Sequence, residues 1–387
     1  MINWINFLHL YQPANSDAYR IKEAVDLSYN RIVSALEKNP EIKFNLNISA
    51  CLLLRLEEQG YLSLIKRIEK LVDGGQIELV SSAAYHALLP LIPESEVVWQ
   101  INETKRVLKK FFPRAKIKGF FLPEMAYSSK VAKIIKRMGY SWLILDEISL
   151  DKKEKIDFNK IYRDNNSGLK IIFRSRQYSN CYVPLEISSL IKSKEEINHP
   201  IISATDGELY GLRHNDTNKS FEKLLKSKNI NTFLISDYVK GKKMEDVKIR
   251  SSNWESTEEE LANNKPFNLW FNKENEVHVY LWKFVKLVVN ILNKYEKDSN
   301  YYWARWHFVR GLASCTFWWA SANDFKHNFG PVAWNPDEVE RGVLELVKSV
   351  RSLEFSTSKK EKIKAELSFI NIKKIIWTKH WSCRRSF

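Results

Sequence analysis

Two acidic residues stand directly after apolar runs of the kind that form buried strands. Glu124 follows 120-FFLP, and Asp206 follows 202-ISAT. We therefore expect each carboxyl group to emerge at the end of a strand. Two carboxyl groups from different strands that face one cavity can cleave a glycosidic bond. One of them attacks the anomeric carbon or activates water, while the other protonates the leaving oxygen.

Other polar residues recur where predicted strands end. They are His9, Asn47, Ser81, Ser82, His86, Asp146, Glu147, Arg174 and Glu208. In parallel barrels the functional groups collect at the carboxyl ends of the strands. The alternative is that many of these side chains are helix caps or solvated loop residues, because loops that follow strands are polar in most proteins.

The elements that would position these groups alternate along the first two thirds of the chain. Short apolar runs predict strands at 2–10, 43–49, 76–82, 119–123, 141–146, 169–175, 200–206 and 231–236. Amphipathic stretches between them predict helices, among them 20–37, 51–71 and 97–112. This alternation indicates an α/β fold whose parallel sheet closes into a barrel. An open doubly wound sheet is the alternative, although no Gly-rich phosphate-binding loop supports a nucleotide site in it.

Beyond residue 254 the pattern becomes helical. Apolar residues recur at helical spacing within 275–294, 303–322 and 336–355. We therefore predict a catalytic barrel over residues 1–254 and a helical domain packed on it over residues 255–355. The lysine-rich residues 356–387 are predicted to form a loosely organised basic tail.

Composition narrows the class of protein. The chain has 387 residues, of which 44% are hydrophobic, as expected for a folded protein. It contains 13 Trp, whose faces could stack on sugar rings or could simply fill a core. The net charge of +15 comes from basic residues spread over most of the chain. That distribution indicates a solvated surface rather than a patch that binds nucleic acid.

The cysteines and the N-terminus predict a cytoplasmic protein. The four cysteines are far apart and form no C-x-x-C pair, so neither a disulfide framework nor a zinc site is expected. The N-terminal MINWINFLHL lacks the features of a signal peptide. No segment has the roughly 20 apolar residues of a membrane helix, so no membrane partner is expected.

Five separated segments resemble the motifs of glycoside hydrolase family 57, in the family's order. They are 7-FLHLYQP, 75-GQIELVSSAAYHALLPLIP, 119-GFFLPEMAYS, 202-ISATDGELYGLRH and 309-VRGLASCTFWWASA. Members of that family are retaining enzymes of α-glucan metabolism. The resemblance implies their fold, which is a distorted (β/α)7 barrel followed by a C-terminal helical bundle.

The resemblance also assigns roles to residues of this chain. Glu124 matches the family's nucleophile, and Asp206 matches its general acid/base. Tyr11 stands where a second His is common, and Ser175 and Asn180 replace acidic positions of a further motif. No metal ion or other cofactor is implied. The substrate-binding positions that the resemblance implies are His9, Gln12, His86, Arg174, Glu208, His214, Trp318 and Trp319.

The expected reaction is α-amylase-like hydrolysis of an α-1,4-linked glucan by double displacement. A 4-α-glucanotransferase or branching enzyme is the first alternative, and an α-galactosidase-type specificity is another. A metal-dependent polysaccharide deacetylase would need a close pair of histidines, which the eight histidines of this chain do not supply. A glycan-binding protein is a further alternative, although it would have no chemical need for both carboxyl groups. The oligomeric state is not predicted.

Overall fold

The computed structural model describes residues 1–151, 156–193, 196–326, 330, 332–354 and 359–383. The chain divides into two units, the first of which contains Met1–Ala84 and Leu89–Trp254. The second contains Tyr85–Leu88 and Glu255–Phe387. The short segment 85–88 therefore belongs with the C-terminal region, which resumes at Glu255.

The first unit contains the strands. Those that the structure describes are β1 (Ile2–Leu10), β2 (Phe44–Ile48), β3 (Ile77–Val80), β4 (Gly119–Phe121), β5 (Trp142–Asp146), β6 (Ile161–Asp164), β7 (Lys170–Arg174), β8 (Ile201–Asp206), β9 (Ile230–Thr232) and β10 (Met244–Val247). Seven of the eight predicted apolar runs contain a strand, whereas the run 231–236 only overlaps the end of β9 and continues into a helix that begins at Ile235. Two strands, β6 and β10, were not predicted. Their short sequences, IYRD and MEDV, contain charged residues that interrupt the apolar run.

Most strand pairs are parallel. One sheet has the order β3-β2-β1-β8, with β9 also paired to β1, and the other has the order β10-β6-β7-β5-β4. The pair β6–β7 is antiparallel. Between the two sheets, Ser81 forms a parallel bridge with Phe120, and the amide of Ser175 donates to the carbonyl of Ile202 at 2.9 Å. The predicted α/β architecture with a parallel sheet is confirmed.

Apolar side chains from several strands form the core between the sheets. Ile5, Phe7, Phe121, Ile144 and Ile202 belong to one buried cluster, and each is at most 3% exposed. Burying a side chain of this size contributes about 1.5–3 kcal/mol. Because these residues come from β1, β4, β5 and β8, their packing holds the ends of those strands in place.

The helices of the first unit lie between its strands. They are α1 (Ala18–Ala24), α2 (Asn30–Glu37), α3 (Ala50–Glu58), α4 (Leu62–Asp73), α5 (Glu94–Phe111), α6 (Ser129–Arg137), α7 (Arg176–Ser179), α8 (Val183–Ser193), α9 (Ser220–Leu225) and α10 (Ile235–Tyr238). The helix predicted over 20–37 is interrupted by a π-helical turn at Val25–Tyr29. The helix predicted over 51–71 is two helices, because Gly60 adopts a left-handed φ of 84° between α3 and α4.

The second unit is helical over its described residues. Its helices are α11 (Glu258–Ala262), α12 (Glu276–Lys294), α13 (Tyr301–Gly311), α14 (Ser314–Trp318), α15 (Pro336–Ser352) and α16 (Lys359–Cys383). The prediction of one helix over 303–322 is wrong. Ala313 is extended and forms an antiparallel bridge with Ala87, and this pairing separates α13 from α14. The prediction of a C-terminal helical region is confirmed.

The prediction of a loosely organised tail is wrong over residues 359–383, which form α16. Ala365, Ile372, Ile376 and His380 are buried at helical spacing along it. The indole Nε1 of Trp334 donates to Nδ1 of His380 at 3.1 Å. The lysines that suggested a tail therefore occupy the outer face of a docked helix.

All four cysteines carry free thiols. Cys51 is buried, and the other three are partly exposed. Within the described ranges, no helix combines the length and the hydrophobicity that are needed to cross a membrane.

Candidate active site

Glu124 lies in a sharp turn directly after β4. The turn Pro123–Met125 contains two successive residues with left-handed backbone angles, Glu124 at φ 59° and Met125 at φ 49°. Such conformations cost roughly 1–3 kcal/mol for residues other than glycine and cluster at functional sites. The carbonyl of Glu124 accepts a hydrogen bond of 3.1 Å from the amide of Trp254. The side chain of Glu124 is partly exposed.

Asp206 is the last residue of β8, and its side chain is 25% exposed. Nη1 of Arg213 donates a hydrogen bond of 2.7 Å to its Oδ2. Charge-assisted hydrogen bonds of this kind are stronger than those between neutral groups. Arg213 therefore fixes one oxygen of a carboxyl group that remains accessible. Arg213 was not among the predicted site residues, although it lies within the motif 202-ISATDGELYGLRH.

His9 lies between the ends of β4 and β8. It pairs in register with Asp206 across the parallel strands β1 and β8. Its ring centroid lies 4.6 Å from that of Phe121, the last residue of β4 and three positions before Glu124. The carboxyl ends of β1, β4 and β8 thus meet around one buried imidazole.

The imidazole of His9 has a defined tautomer. Nδ2 of Asn47 donates to the carbonyl of Val80 at 2.6 Å, so Oδ1 of the same amide faces His9. Nδ1 of His9 lies 2.7 Å from that oxygen and must therefore carry the proton. Burial, with a smaller effect of Arg213, lowers the pKa of His9, while Asp206 and Asn47 oppose this shift. We conclude that His9 is neutral at pH 7.

Glu208 is buried and bound by donors from the protein. The hydroxyl of Tyr29 donates to Oε1, and so does Nε2 of Gln12 at 3.1 Å. Burial raises the pKa of the Glu208 carboxyl group, the nearby charge of Asp206 adds to this, and Arg213 opposes it. Glu208 therefore connects the 7-FLHLYQP segment to the end of β8. No sequence pattern distinguished Tyr29 from any other helical residue.

Arg174 is 4% exposed and makes its contacts within the protein. Its Nε donates to Oδ2 of the fully buried Asp146 at 2.8 Å, and its Nη1 donates to the carbonyl of Ala204 at 2.9 Å. Its guanidinium also lies 5.2 Å from the ring centroid of Trp254. Arg174 thus links the end of β7 to the end of β5 and to β8, the strand that ends at Asp206.

Trp254 is a site residue that was not predicted. Its amide donates to Glu124, and its carbonyl accepts from Nη2 of Arg176 at 2.8 Å. Its ring is partly exposed and lies 5.9 Å from that of Phe121. A partly exposed indole held beside Glu124 could stack on a sugar ring. Trp254 is the last residue of the first unit and lies outside any helix or strand, so no apolar periodicity in the sequence pointed to it.

Four further residues were predicted, namely His86, His214, Trp318 and Trp319. His214 stacks on Tyr182 with 4.0 Å between ring centroids. His86, Trp318 and Trp319 belong to the second unit. There, His86 has φ 57° and lies 2.9 Å from Oγ of Ser314 through its Nδ1. The rings of Trp318 and Trp319 meet edge to face at 4.7 Å, and both are partly exposed.

Among the residues that the structure describes, no cluster of three or more acidic, histidine or cysteine side chains could hold a metal ion. The carboxyl groups of Asp206 and Glu208 are instead engaged by arginine, tyrosine and glutamine donors. The arrangement is suited to proton transfer and to nucleophilic attack by carboxyl groups.

The chain is similar to known proteins in both sequence and fold. The profile of Glycosyl hydrolase family 57 matches residues 3–252. Alpha-amylase 1 from Dictyoglomus thermophilum is 27% identical over 215 residues, which are 53% of this chain and 31% of that protein. The structure of 4-alpha-glucanotransferase from Thermococcus litoralis is similar with a TM-score of 0.73 at 18% identity, over 91% of this chain and 60% of that chain.

A GH57-type branching enzyme from Pyrococcus horikoshii shares the fold over nearly its full length. Its TM-score is 0.70 at 16% identity, and the match covers 98% of this chain and 97% of that chain. The curated relatives are longer. The match with an alpha-amylase from the same organism covers 40% of that protein, so this chain spans less than half the length of such relatives.

Proposed function

The chain belongs to glycosyl hydrolase family 57, and from this premise we propose that it is a retaining enzyme that acts on α-1,4-linked glucan. In this proposal Glu124 is the nucleophile and Asp206 is the general acid/base. One observation supports it above the others. The strands that end at these two residues meet around His9, which pairs with Asp206 and contacts Phe121. Two carboxyl groups that follow the carboxyl ends of two parallel strands, both near the same imidazole, are suited to glycoside cleavage.

We further propose that the parallel strands close into a (β/α)7 barrel in the order β1-β2-β3-β4-β5-β7-β8. Two contacts between the sheets support this closure. The bridge between Ser81 and Phe120 joins β3 to β4, and the hydrogen bond from Ser175 to Ile202 joins β7 to β8. A closed ring would direct the ends of β4 and β8 to the same rim.

The proposed reaction has two displacements. Protonated Asp206 donates its proton to the glycosidic oxygen as Glu124 attacks the anomeric carbon, so the bond to the leaving sugar breaks and a glycosyl ester forms. Asp206, now a carboxylate, then removes a proton from water, whose oxygen attacks the anomeric carbon and releases Glu124. The anomeric configuration is retained. A sugar hydroxyl in place of water would give transfer by the same steps.

The other site residues have supporting roles in this proposal. Neutral His9 and Gln12 would contact the sugar at the reacting centre, and Trp254 would stack on a ring beside Glu124. Arg174 would support the site through Asp146 and Trp254. The roles of His86, His214, Trp318 and Trp319 as contacts for the glucan rest on the family resemblance.

Hydrolysis is the first candidate and transfer to another glucan is the second. The chain is similar in sequence to a protein named alpha-amylase and to a protein named 4-alpha-glucanotransferase. Both reactions would use the same two carboxyl groups. The outcome depends on whether water or a second sugar reaches the glycosyl ester first.

Product analysis on maltoheptaose tests the proposal. Wild type would be compared with Glu124→Gln, Asp206→Asn and the control Glu147→Gln, in which a partly buried carboxyl group near another strand end is changed in the same way. We expect the first two variants to lose about 10²–10⁴-fold or more in kcat, and the control to remain within a few-fold of wild type. Proton NMR of the first products should show the α-anomer.

Each result has a defined meaning. Shorter sugars alone would identify a hydrolase, and both shorter and longer sugars would identify a transferase. A Glu124→Gln variant with normal turnover would overturn the assignment of the nucleophile. Formation of the β-anomer would overturn the retaining mechanism. Absence of turnover by folded wild type on maltoheptaose and on a panel of α-glycosides would overturn the proposed function.

A further inference from the structure

The π-helical turn at Val25–Tyr29 faces the segment that follows β8, which we call the 206–213 segment. In a π-helix the amide bonds to a carbonyl five residues earlier, and here the amide of Asn30 donates to the carbonyl of Val25. Ser28 and Tyr29 are both fully buried in this turn. Oγ of Ser28 donates to the carbonyl of Gly207 at 2.7 Å, and the hydroxyl of Tyr29 donates to Glu208. Short π-helical turns of this kind occur frequently at functional sites.

The 206–213 segment lies too close to its neighbours to shift without rearrangement. A Cβ on Gly211 would lie 2.1 Å from the carbonyl oxygen of Leu27 in the π-helical turn. A Cβ on Gly207 would lie 2.1 Å from Cδ2 of Leu10 at the end of β1. The backbone of the segment is therefore held on one side by β1 and on the other by the π-helical turn.

Glu208 links the π-helical turn to Asp206, the proposed acid/base. Its carboxyl group accepts hydrogen bonds from Tyr29 and Gln12, and its carbonyl accepts the amide of Arg213 at 2.8 Å. The guanidinium of Arg213 in turn donates to Asp206. A buried carboxyl group that loses one of its donors must find another or move, because an unsatisfied buried acceptor is costly.

We propose that Tyr29 is a positioning residue for general acid catalysis, which holds Glu208 and through it the 206–213 segment and Asp206. The proposal rests on the proposed function. It assigns Glu208 a place in the support of the site rather than in contact with the glucan. The residue that reacts remains Asp206, and Tyr29 acts only through the hydrogen bonds described above.

The proposal predicts which substrates depend on Tyr29. Maltoheptaose has a sugar as its leaving group, which must be protonated as the bond breaks. In α-maltosyl fluoride the leaving fluoride departs as a weakly basic anion and needs no proton from Asp206. Displacement of Asp206 should therefore slow the cleavage of maltoheptaose and leave the cleavage of α-maltosyl fluoride nearly unchanged.

The experiment compares kcat/KM for both substrates in wild type, Tyr29→Phe and Asp206→Asn. We expect Tyr29→Phe to lower kcat/KM about 10–100-fold on maltoheptaose and less than 3-fold on α-maltosyl fluoride. The loss on maltoheptaose is smaller than the whole contribution of a general acid, because Asp206 is displaced and not removed. The ratio of the two values is measured on one sample, so it does not depend on the fraction of folded enzyme. Tyr238→Phe is the matched control, since it removes another buried hydroxyl, which donates to the carbonyl of Phe158.

A double variant tests whether Tyr29 acts through Glu208. If it does, Tyr29→Phe combined with Glu208→Gln should be no slower on maltoheptaose than the slower single variant. An equal loss on both substrates would overturn the positioning role and leave Tyr29 a structural residue. If Asp206→Asn itself shows no difference between the substrates, the assignment of the acid/base fails. If Asp206→Asn shows the difference and Tyr29→Phe does not, only the present proposal fails.

Discussion

The side chains of His9 and Asn47 are joined by a hydrogen bond of 2.7 Å between Nδ1 and Oδ1. Because Nδ2 of Asn47 is engaged by the carbonyl of Val80, the amide cannot reverse without losing this contact. This contact keeps a proton on Nδ1, and burial lowers the pKa of the ring, so His9 is neutral beside the proposed acid/base. A neutral ring next to Asp206 leaves Arg213 as the cation that contacts this carboxyl group.

Replacing Asn47 by aspartate should raise the pKa of His9 above its wild-type value. A carboxylate at this position would accept the Nδ1 proton and stabilise the imidazolium form. The change should also destabilise the fold by about 1–3 kcal/mol, because Val80 would lose its donor. NMR titration of the histidine ring nitrogens would measure the pKa, and the resonance missing from His9→Gln would assign the signal. An unchanged titration would contradict the tautomer that we deduce.

Removing the guanidinium of Arg213 should reduce catalysis more than stability. Arg213→Leu loses a charge-assisted hydrogen bond to Asp206, which for a partly exposed pair is worth about 1 kcal/mol and corresponds to roughly 5-fold in kcat/KM on maltoheptaose. The side chain is 45% exposed, so the melting temperature should change little. Arg163→Leu is the control, since its pair with Asp246 is also exposed. Full activity of Arg213→Leu would show that Asp206 does not depend on this contact.

Two glycines with positive φ should respond differently to alanine. Gly211 has φ 130°, and a Cβ there would collide with the carbonyl oxygen of Leu27. Gly241 has φ 68° and open space around its Cβ position. We expect Gly211→Ala to cost roughly 3 kcal/mol or more and to lower kcat, whereas Gly241→Ala should cost about 1 kcal/mol and leave kcat unchanged. Urea unfolding and turnover of maltoheptaose would measure both effects, and similar behaviour of the two variants would count against a tightly held 206–213 segment.

Acid should destabilise the second unit through His278. Burial lowers the pKa of this ring to about 4, and its two nitrogens are engaged by the amide of Asn272 and the carbonyl of Phe317. Because the folded pKa lies below the unfolded value, the unfolded state binds the extra proton, and stability falls as the pH drops from about 6.5 towards 4. Between pH 7 and pH 5 the loss should be about 2 kcal/mol.

Urea unfolding at the two pH values would test this, with His278→Gln as the comparison. Glutamine can keep one donor and one acceptor but does not titrate in this range. The loss of stability on going from pH 7 to pH 5 should therefore be smaller in the variant by about 2 kcal/mol. An equal loss in both proteins would show that other groups account for the sensitivity to acid.

Apolar runs in the sequence were sufficient to locate the strands of the parallel sheet. Strands such as β1 and β8, whose side chains are buried almost throughout, read as continuous hydrophobic stretches. The same principle explains why β6 and β10 were not predicted, since their charged residues interrupt the run. The family motifs likewise depend on residues that are close in sequence, so the resemblance was visible before the fold was known.

Contacts between distant residues decided several features that local patterns did not reveal. The segment 303–322 is helical by its spacing, yet the bridge from Ala313 to Ala87 divides it into α13 and α14. The lysine-rich residues after 358 resemble a tail, yet their widely spaced apolar side chains dock as α16. In both cases the deciding partner is far away in the sequence.

The sequence by itself determined the fold class, the family and the two strand ends at which Glu124 and Asp206 stand, because burial periodicity and short motifs are local properties. Only the tertiary structure decided what surrounds those carboxyl groups. Asn47 selects the tautomer of His9, and Tyr29 reaches Glu208 from a helix that is 179 residues away in sequence. Hydrogen bonds of this kind require the distance between donor and acceptor to be correct to within a few tenths of an ångström, and only the packing of the folded chain sets that distance.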